Sequence, residues 1–565
     1  LPVGGDPMEK ALNPAQRAAA QARGHCIIAA GPGSGKTFTL VHKVELLVRE
    51  GVDPGRIMLV AFNRDAALEL QARVVAAVGK GLGSQVRVGT FHSLAMRFLK
   101  EGGVKISIPT GIQIRHLVKK ILREFGWEEI GLQKAKEIID ELIIASVDAK
   151  AEVKAIDPWK WKLAEKYRKE MRKKGWYDFT DLLREHIDRV ADGRAKVWEL
   201  DHVLADEYQD ADPLQHLWLR QHIDAGAVMT IVGDDDQSIY GWRQAMGFDG
   251  MDELRRDYDA ELISLDINYR CPPKLVEAAG KIIKINRKRI EKDIRSGASG
   301  ESELRWFKTE GRTDEANAIV EAAETGNLAV LARTRAYLDE IEVALLSGGI
   351  PYTRRDGPTV LSRPIFQDYK HLAATVLTAT NNAAAALAKR IQIKGPDWKK
   401  EAERFELDYS PAALFRSGVP EGCTSDHPIV ELARLIQEWR RVQQVHGQMA
   451  IRGMVSWVSE RHDDQSADFL NRIVRVIYRQ NSQGISDHLA VLDLMIASAC
   501  TATEGHAGGV ILTTLHQSKG QTYESVWIPG IHEGHFPSAG AVEEEERRLL
   551  YVGMTRAKRA VYLSA

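Results

Sequence analysis

The chain has 565 residues, room for roughly four pieces of about 150 residues each and hence for several separate cores. Its 44% apolar and 27% charged content is that of a globular protein and excludes wholesale disorder, collagen-like repeats and membrane-embedded classes. With 77 basic against 78 acidic residues the formal charge is -1, so bulk charge does not announce a polyanion partner.

Cys26, Cys271, Cys423 and Cys500 stand far apart with no Cys-x-x-Cys pair. Free thiols in a reducing, cytoplasmic setting are expected, with no disulfide framework, structural zinc or iron-sulfur cluster. No run approaches the roughly 18 apolar residues of a membrane span, and no charged start leads into an apolar stretch, so neither export nor membrane insertion is expected.

In chain order, short apolar β-prone runs alternate with longer amphipathic stretches, which predicts α/β layers built on parallel sheets. The first family of strands is expected at Cys26–Ala30, Ile57–Ala61, Val86–Val88, Val203–Ala205 and Val228–Val232. The second is expected at Leu328–Ala332, Val510–Thr513, Val526–Ile528 and Ala560–Leu563. Each family is interrupted by a segment that reads as charged helices. The predicted organisation is a first core at 8–95 and 176–265 with a helical insertion at 96–175, and a second core at 266–368 and 507–565 with a helical insertion at 369–506.

Within the first strand and its sequel, Cys26-Ile-Ile-Ala-Ala-Gly-Pro-Gly-Ser-Gly-Lys36-Thr37 reads as strand, glycine-rich turn and helix, the pattern of a Walker A loop. Glycines let backbone N–H groups turn inward around phosphates, and the helix start adds partial positive charge. Lys36 would reach the terminal phosphates of ATP, and Thr37 would ligate Mg²⁺. The cradle comprises Ala30, Gly31, Pro32, Gly33, Ser34, Gly35, Lys36, Thr37 and Phe38; Ala30 stands where the strict pattern has its first glycine. Val203-Leu-Ala-Asp206-Glu207 ends an apolar strand in two acids, Asp206 to hold the metal and Glu207 to polarise the attacking water.

The motif series then resembles the UvrD/Rep/PcrA branch of superfamily 1 helicases. Leu12-Asn-Pro-Ala-Gln16 resembles the adenine-reading Q motif, Val60-Ala-Phe-Asn63 motif Ia, and Gly89-Thr-Phe-His-Ser93 the DNA-contacting motif after it. Asp206-Glu-Tyr-Gln-Asp210 is similar to motif II, and Val232-Gly-Asp-Asp-Asp-Gln-Ser-Ile-Tyr-Gly-Trp-Arg243 to motif III. Asn268-Tyr-Arg270 is like motif IV, Thr514-Leu-His-Gln-Ser-Lys-Gly520 like motif V, and Glu545-Glu-Arg-Arg-Leu-Leu-Tyr-Val-Gly-Met-Thr-Arg-Ala557 like motif VI.

The resemblance implies two RecA-like P-loop cores with ATP in the cleft between them. In that reading Gln16 and Tyr269 hold adenine and Gln237 senses the terminal phosphate. Arg270 and Arg556 neutralise the transferring phosphoryl group, a role worth about 10³ to 10⁵ in rate. Single-stranded DNA would lie on Phe62, Tyr240 and Trp242, aromatics in loops after strands, where stacking contributes about 1–3 kcal/mol per base. Asn63, Thr90, His92, Arg243, Arg333, Thr514 and His516 would supply further DNA contacts.

Two basic runs, Lys160 to Lys174 and Lys281 to Arg295, bear on DNA or are solvated helix faces; the first interleaves tryptophan and tyrosine. After Lys519-Gly520 comes Gln521-Thr522-Tyr523, without the acid the family places at the nucleotide sugar. His532-Glu-Gly-His535 lacks the spacing and helical context of a zinc protease motif. The second insertion looks shorter than in the large repair helicases of that family and the sequence stops after motif VI, so neither a fused nuclease nor a partner-binding tail is expected.

The expected function is an ATP-dependent, single-stranded DNA translocase and helicase with 3′ to 5′ polarity, acting at single-strand/duplex junctions. A DNA-stimulated ATPase switch that unwinds little without a protein partner is the alternative, and an RNA helicase the third reading.

Overall fold

A computed structural model describes residues 12–145, 157–323, 326–378, 380–390, 398–479, 484–501 and 509–565. Parts of both expected helical insertions, and residues 8–11 of the expected first core, lie outside the described residues. The described chain forms two compact units, Leu1–Ser302 with Gly540–Thr555, and Glu303–Ala539 with Arg556–Ala565.

The first unit is built on six parallel strands: β1 (Cys26–Ala30), β2 (Ile57–Ala61), β3 (Arg87–Thr90), β4 (His202–Ala205), β5 (Val228–Gly233) and β6 (Glu261–Leu265). They are ordered β3-β2-β4-β5-β1-β6. Strands β1 and β2 are buried along their whole length, as expected of a parallel sheet covered on both faces. Side-chain alternation serves both faces. Ile27 packs with Leu183, Trp218 and Met229, whereas Ile28 packs with Leu40, Val44 and Leu59. Because all six strands run the same way, their carboxyl ends share one edge, where ligands of doubly wound sheets bind. The P-loop follows β1, Asn63 follows β2, Thr90 ends β3, Asp206 follows β4, Asp234 follows β5, and Asn268 to Arg270 follow β6.

The helical insertion has its own core, in which Leu117, Ile121, Ile139, Leu163, Tyr167 and Met171 meet. Its helices Gly111–Phe125, Leu132–Ala145 and Pro158–Lys173 include most of the first basic run. A short two-stranded sheet of β7 (Ile267–Asn268) and β8 (Arg295–Ser296) follows β6. The unit therefore continues to Ser302, beyond the division at 265/266 drawn from the strand families.

The second unit is a second parallel sheet of β9 (Glu303–Phe307), β10 (Leu328–Ala332), β11 (Tyr352–Arg354), β12 (Val510–Thr514), β13 (Tyr523–Ile528) and β14 (Ala557–Ser564), ordered β11-β12-β10-β13-β14-β9. Val330, Leu338, Ile341, Leu512 and Trp527 form its core. Helices between Pro364 and Thr501 carry a separate core around Phe366, Tyr369, Trp439, Met454, Phe469 and Ile473. The predicted α/β class with two parallel-sheet cores and helical interruptions is the observed one. Among the described residues no helix is long and apolar enough to cross a membrane.

Candidate functional site

The site of the first unit begins where β1 ends. Gly35 caps helix Lys36–Arg49 with φ 80°, and Gly33 has φ 64°; a Cβ at Gly33 would lie 2.8 Å from Arg270 Cβ and 2.9 Å from Asn268 Oδ1. Only glycine satisfies both the left-handed turn and this close approach. The Ser34 hydroxyl donates to the Gly31 carbonyl at 2.8 Å, closing the loop on itself.

Lys36 and Thr37 face the acids that end β4. Lys36 Nζ lies 3.2 Å from the Glu207 carboxylate, and the Thr37 hydroxyl donates to Asp206 Oδ2 at 3.1 Å. Glu207 itself has left-handed φ/ψ of 50° and 40°, a sparsely populated conformation for a side-chain-bearing residue, and its N–H donates to Asp206 Oδ1 at 2.9 Å. Burial, reinforced by the neighbouring Glu207 carboxylate, pushes the Asp206 pKa up to about 6, while the Lys36 ammonium pulls it down. Burial works against the Lys36 charge, yet the Glu207, Asp234 and Asp206 carboxylates outweigh it and hold its pKa above the ordinary lysine value. A hydroxyl beside an oxygen-donating carboxylate fits the hard-oxygen preference of Mg²⁺, and a buried ammonium at a glycine-lined helix start fits a polyphosphate.

Gln16 approaches the loop from helix Pro14–Gln21. It completes a capping box with Asn13, and its Nε2 donates to the Ser34 carbonyl at 2.9 Å. Asn13 Nδ2 donates to the Tyr269 hydroxyl at 2.9 Å, and the Tyr269 N–H donates to the Gly33 carbonyl at 3.0 Å. The Tyr269 ring, 49% exposed, thus stands at the mouth of the loop. Phe38 packs on His42 with ring centroids 4.1 Å apart. Arg270 is held by its N–H on Asn268 Oδ1 at 2.8 Å and by its Nη1 on the Thr555 carbonyl at 3.1 Å; burial lowers its pKa.

Two buried residues that the sequence reading left without a role complete this network. The Gln209 amide donates to Glu207 Oε2 at 2.6 Å, and its carbonyl oxygen accepts from the Asp234 N–H at 2.9 Å. Asn268 orders the Tyr269-Arg270 turn. Gln209 was visible as a letter of the acidic motif, but nothing local shows that its amide spans two strand ends.

The sequence matches the UvrD/REP helicase N-terminal domain over residues 12–259, and the UvrD-like helicase C-terminal domain over 263–399 and 430–565. The chain belongs to the UvrD-like helicase family. The ATP-dependent DNA helicase PcrA of Leuconostoc citreum is 26% identical to this helicase, the alignment covering 96% of this chain and 80% of PcrA. DNA helicase II of Escherichia coli K12 is 28% identical, with 98% and 84% covered.

On the helicase's first unit Phe62 and Tyr240 lie nearly parallel with ring centroids 5.9 Å apart. Trp242 is 66% exposed, with the Arg243 guanidinium 4.7 Å from its ring centre. Asn63 caps helix Arg64–Val78 through Ala66 N–H at 2.8 Å, and Thr90 caps helix Phe91–Glu101. His92 is edge-on to Phe179, an exposed aromatic absent from the expected contacts; an apolar residue following the helix-capping Asp178 was its only signal. Burial drives the His92 pKa down to about 4, against the pull of Asp178, so its ring is neutral at physiological pH. Arg333, Thr514, His516 and Arg556 belong to the second unit. There Thr514 hydrogen-bonds the buried Asp356 carboxylate, and the Arg556 carbonyl accepts from the Tyr523 N–H at 2.9 Å.

Proposed function

We propose that the chain is an ATP-driven, single-stranded DNA translocase that unwinds duplexes with 3′ to 5′ polarity, working in the cytoplasm. The observation that carries this reading is the joint placement of Lys36, Thr37, Asp206 and Glu207 at one sheet edge, with Gln209 bridging Glu207 to the Asp234 loop. That loop runs through Gln237 directly into half-buried Tyr240 and exposed Trp242 and Arg243. Nucleotide state and a stacking surface are therefore only a few residues apart.

Thr37 and Asp206 would hold Mg²⁺, which when bound neutralises phosphate charge. Lys36 and the glycine-loop amides bind the phosphates, Gln16 and Tyr269 orient the base, and Glu207 accepts a proton from the attacking water. Arg270, together with Arg556 by its place in its motif, stabilises charge on the transferring group. Phe62, Tyr240, Trp242 and Phe179 receive bases. Asn63, Thr90, His92, Arg243, Arg333, Thr514 and His516 contact the backbone. ATP-dependent strand displacement on 3′-tailed and 5′-tailed duplexes tests the reading; displacement confined to 5′ tails overturns the polarity, and DNA-stimulated hydrolysis without displacement favours the switch.

A further inference from the structure

Motif III itself holds Asp234, Asp235 and Asp236, all buried, with carboxylate oxygens within 4.8 Å of one another. Such a group resembles a cation site, but a lysine already occupies it. Lys292, whose side chain has no exposed surface, places Nζ 3.1 Å from Asp234 Oδ1 and 3.1 Å from Asp236 Oδ2, and hydrogen-bonds Asp235. Arg289 adds a bidentate pair to Asp236 at 2.9 and 2.7 Å, and the Ile290 N–H donates to Asp235 Oδ2 at 2.7 Å. Three carboxylates meet two cations. Although burial opposes its charge, the three carboxylates hold Lys292 protonated far above the lysine range.

Buried ion clusters are seldom the cheapest way to stabilise a core, because apolar replacements of similar volume often do as well or better; in some proteins what they fix is geometry. The geometry here centres on Asp234. Its Oδ2 accepts from the Gln237 side-chain amide and its carbonyl accepts from the Gln237 N–H at 2.8 Å. Its own N–H is held by Gln209, which also holds Glu207. The remaining oxygen, Oδ1, is ion-paired with the Lys292 ammonium at 3.1 Å.

The strap that carries Lys292 reaches the other half of the site. Ile294 packs where a side chain on Gly31 of the P-loop would stand, 2.5 Å from that Cβ position. The Arg295 and Gly297 N–H groups each donate at 2.8 Å to the carbonyls of Asp266 and Asn268, beside Arg270.

Resting on the proposed ATPase activity, we propose that Lys292 is a positioning residue for hydrolysis: by anchoring Asp234 it sets the Gln237 amide and ties that sensor to the strap beneath the P-loop and Arg270. Lys292 touches no substrate; it acts through Asp234 and Gln237.

The test is the paired substitution Asp235→Asn with Lys292→Met in the full chain, which removes one negative and one positive charge together and avoids leaving an extra uncompensated carboxylate. Thermal melting, fluorescent-nucleotide affinity, and kcat and KM for ATP with single-stranded DNA are measured. The pair is expected to melt within a few degrees of the parent and keep KM within about threefold, while kcat falls at least about tenfold. In a Gln237→Ala background the same pair should lower kcat by less than about twofold, since the residue through which it acts is gone. Parent-like kcat, or an equal loss in both backgrounds, overturns the proposal. Failure of the charge-balanced pair to fold assigns Lys292 to the core instead and overturns it too. Absence of DNA-stimulated hydrolysis in the unsubstituted chain is a separate result that overturns the functional reading beneath it.

Discussion

The Thr37 hydroxyl donates to the Asp206 carboxylate at 3.1 Å although 169 residues separate them. The pair meets because β1 and β4, flanking β5 in one parallel sheet, end at the same edge. Asp206 carries a cost that bears on stability. Its folded pKa, about 6, exceeds the ordinary carboxylate value, so its contribution favours the fold at low pH and is lost as pH rises through about 6. Asp206→Asn is therefore expected to raise the melting temperature at pH 8, by an amount corresponding to about 1–3 kcal/mol, while abolishing Mg²⁺-dependent hydrolysis. In the parent chain, Mg²⁺ affinity measured by titration should fall about tenfold per pH unit below about 6. A lower melting temperature for the variant at pH 8 would contradict the burial argument.

Glu207 is held between Lys36 and Gln209. Glu207→Gln keeps the shape and removes the base, so kcat should fall by about 10²–10⁴ while nucleotide and DNA affinities stay within a fewfold. Retained turnover removes Glu207 from its role.

Trp242 is 66% exposed and contributes little to the core. Trp242→Ala should leave melting unchanged and weaken binding to a single-stranded oligonucleotide by about 1–3 kcal/mol, roughly five- to 150-fold. Equal binding by the two proteins excludes this face as a stacking surface.

Gly33→Ala forces a side chain into left-handed backbone against Arg270 and Asn268. Strain of about 1–3 kcal/mol is expected, with loss of nucleotide binding measured by a fluorescent analogue. Unaltered affinity would show that the loop rearranges without cost.

His186 and His222 are buried around Trp218, whose Nε1 donates to His186 Nδ1 at 3.0 Å. Burial depresses both pKa values, His222 to about 4 and His186 also well below its ordinary value. These neutral rings stabilise the fold above about pH 6.5, and the benefit is lost as pH falls toward 4, because the unfolded chain takes up protons that the folded one refuses. Stability of the first unit should drop by up to about 1.4 kcal/mol per pH unit per histidine across that window. Melting at pH 7 and pH 5 checks it: His222→Gln should flatten the dependence, and an unchanged slope would show that His222 does not set it.

Much of the site was legible because its chemistry is local. The P-loop lies within twelve consecutive residues, and strand–turn–helix order follows from five consecutive apolar residues, four glycine or proline positions and an amphipathic run. The acids after β4 were legible for the same reason. The central strands were readable as unbroken apolar runs, since both their faces are covered. Strands β6 and β9 escaped: as sheet-edge strands they expose Glu261, Leu262, Leu304, Arg305 and Trp306, and so lack the continuous apolar signal.

The sequence by itself therefore determined the fold class, the glycine-rich turn after β1, the acid pair that ends β4 and the order of the motifs, because each rests on residues within a few turns of chain. Only the tertiary structure decided that Gln209 bridges Glu207 to Asp234 and that Trp242 faces solvent. The tertiary structure also decided that the three aspartates surround a lysine 58 residues beyond the first of them. In the sequence that run of acids and the basic run from Lys281 to Arg295 are two separate charged stretches. They pair only because the strap folds back over the carboxyl edge of the sheet, where burial makes an unpaired charge too costly to leave.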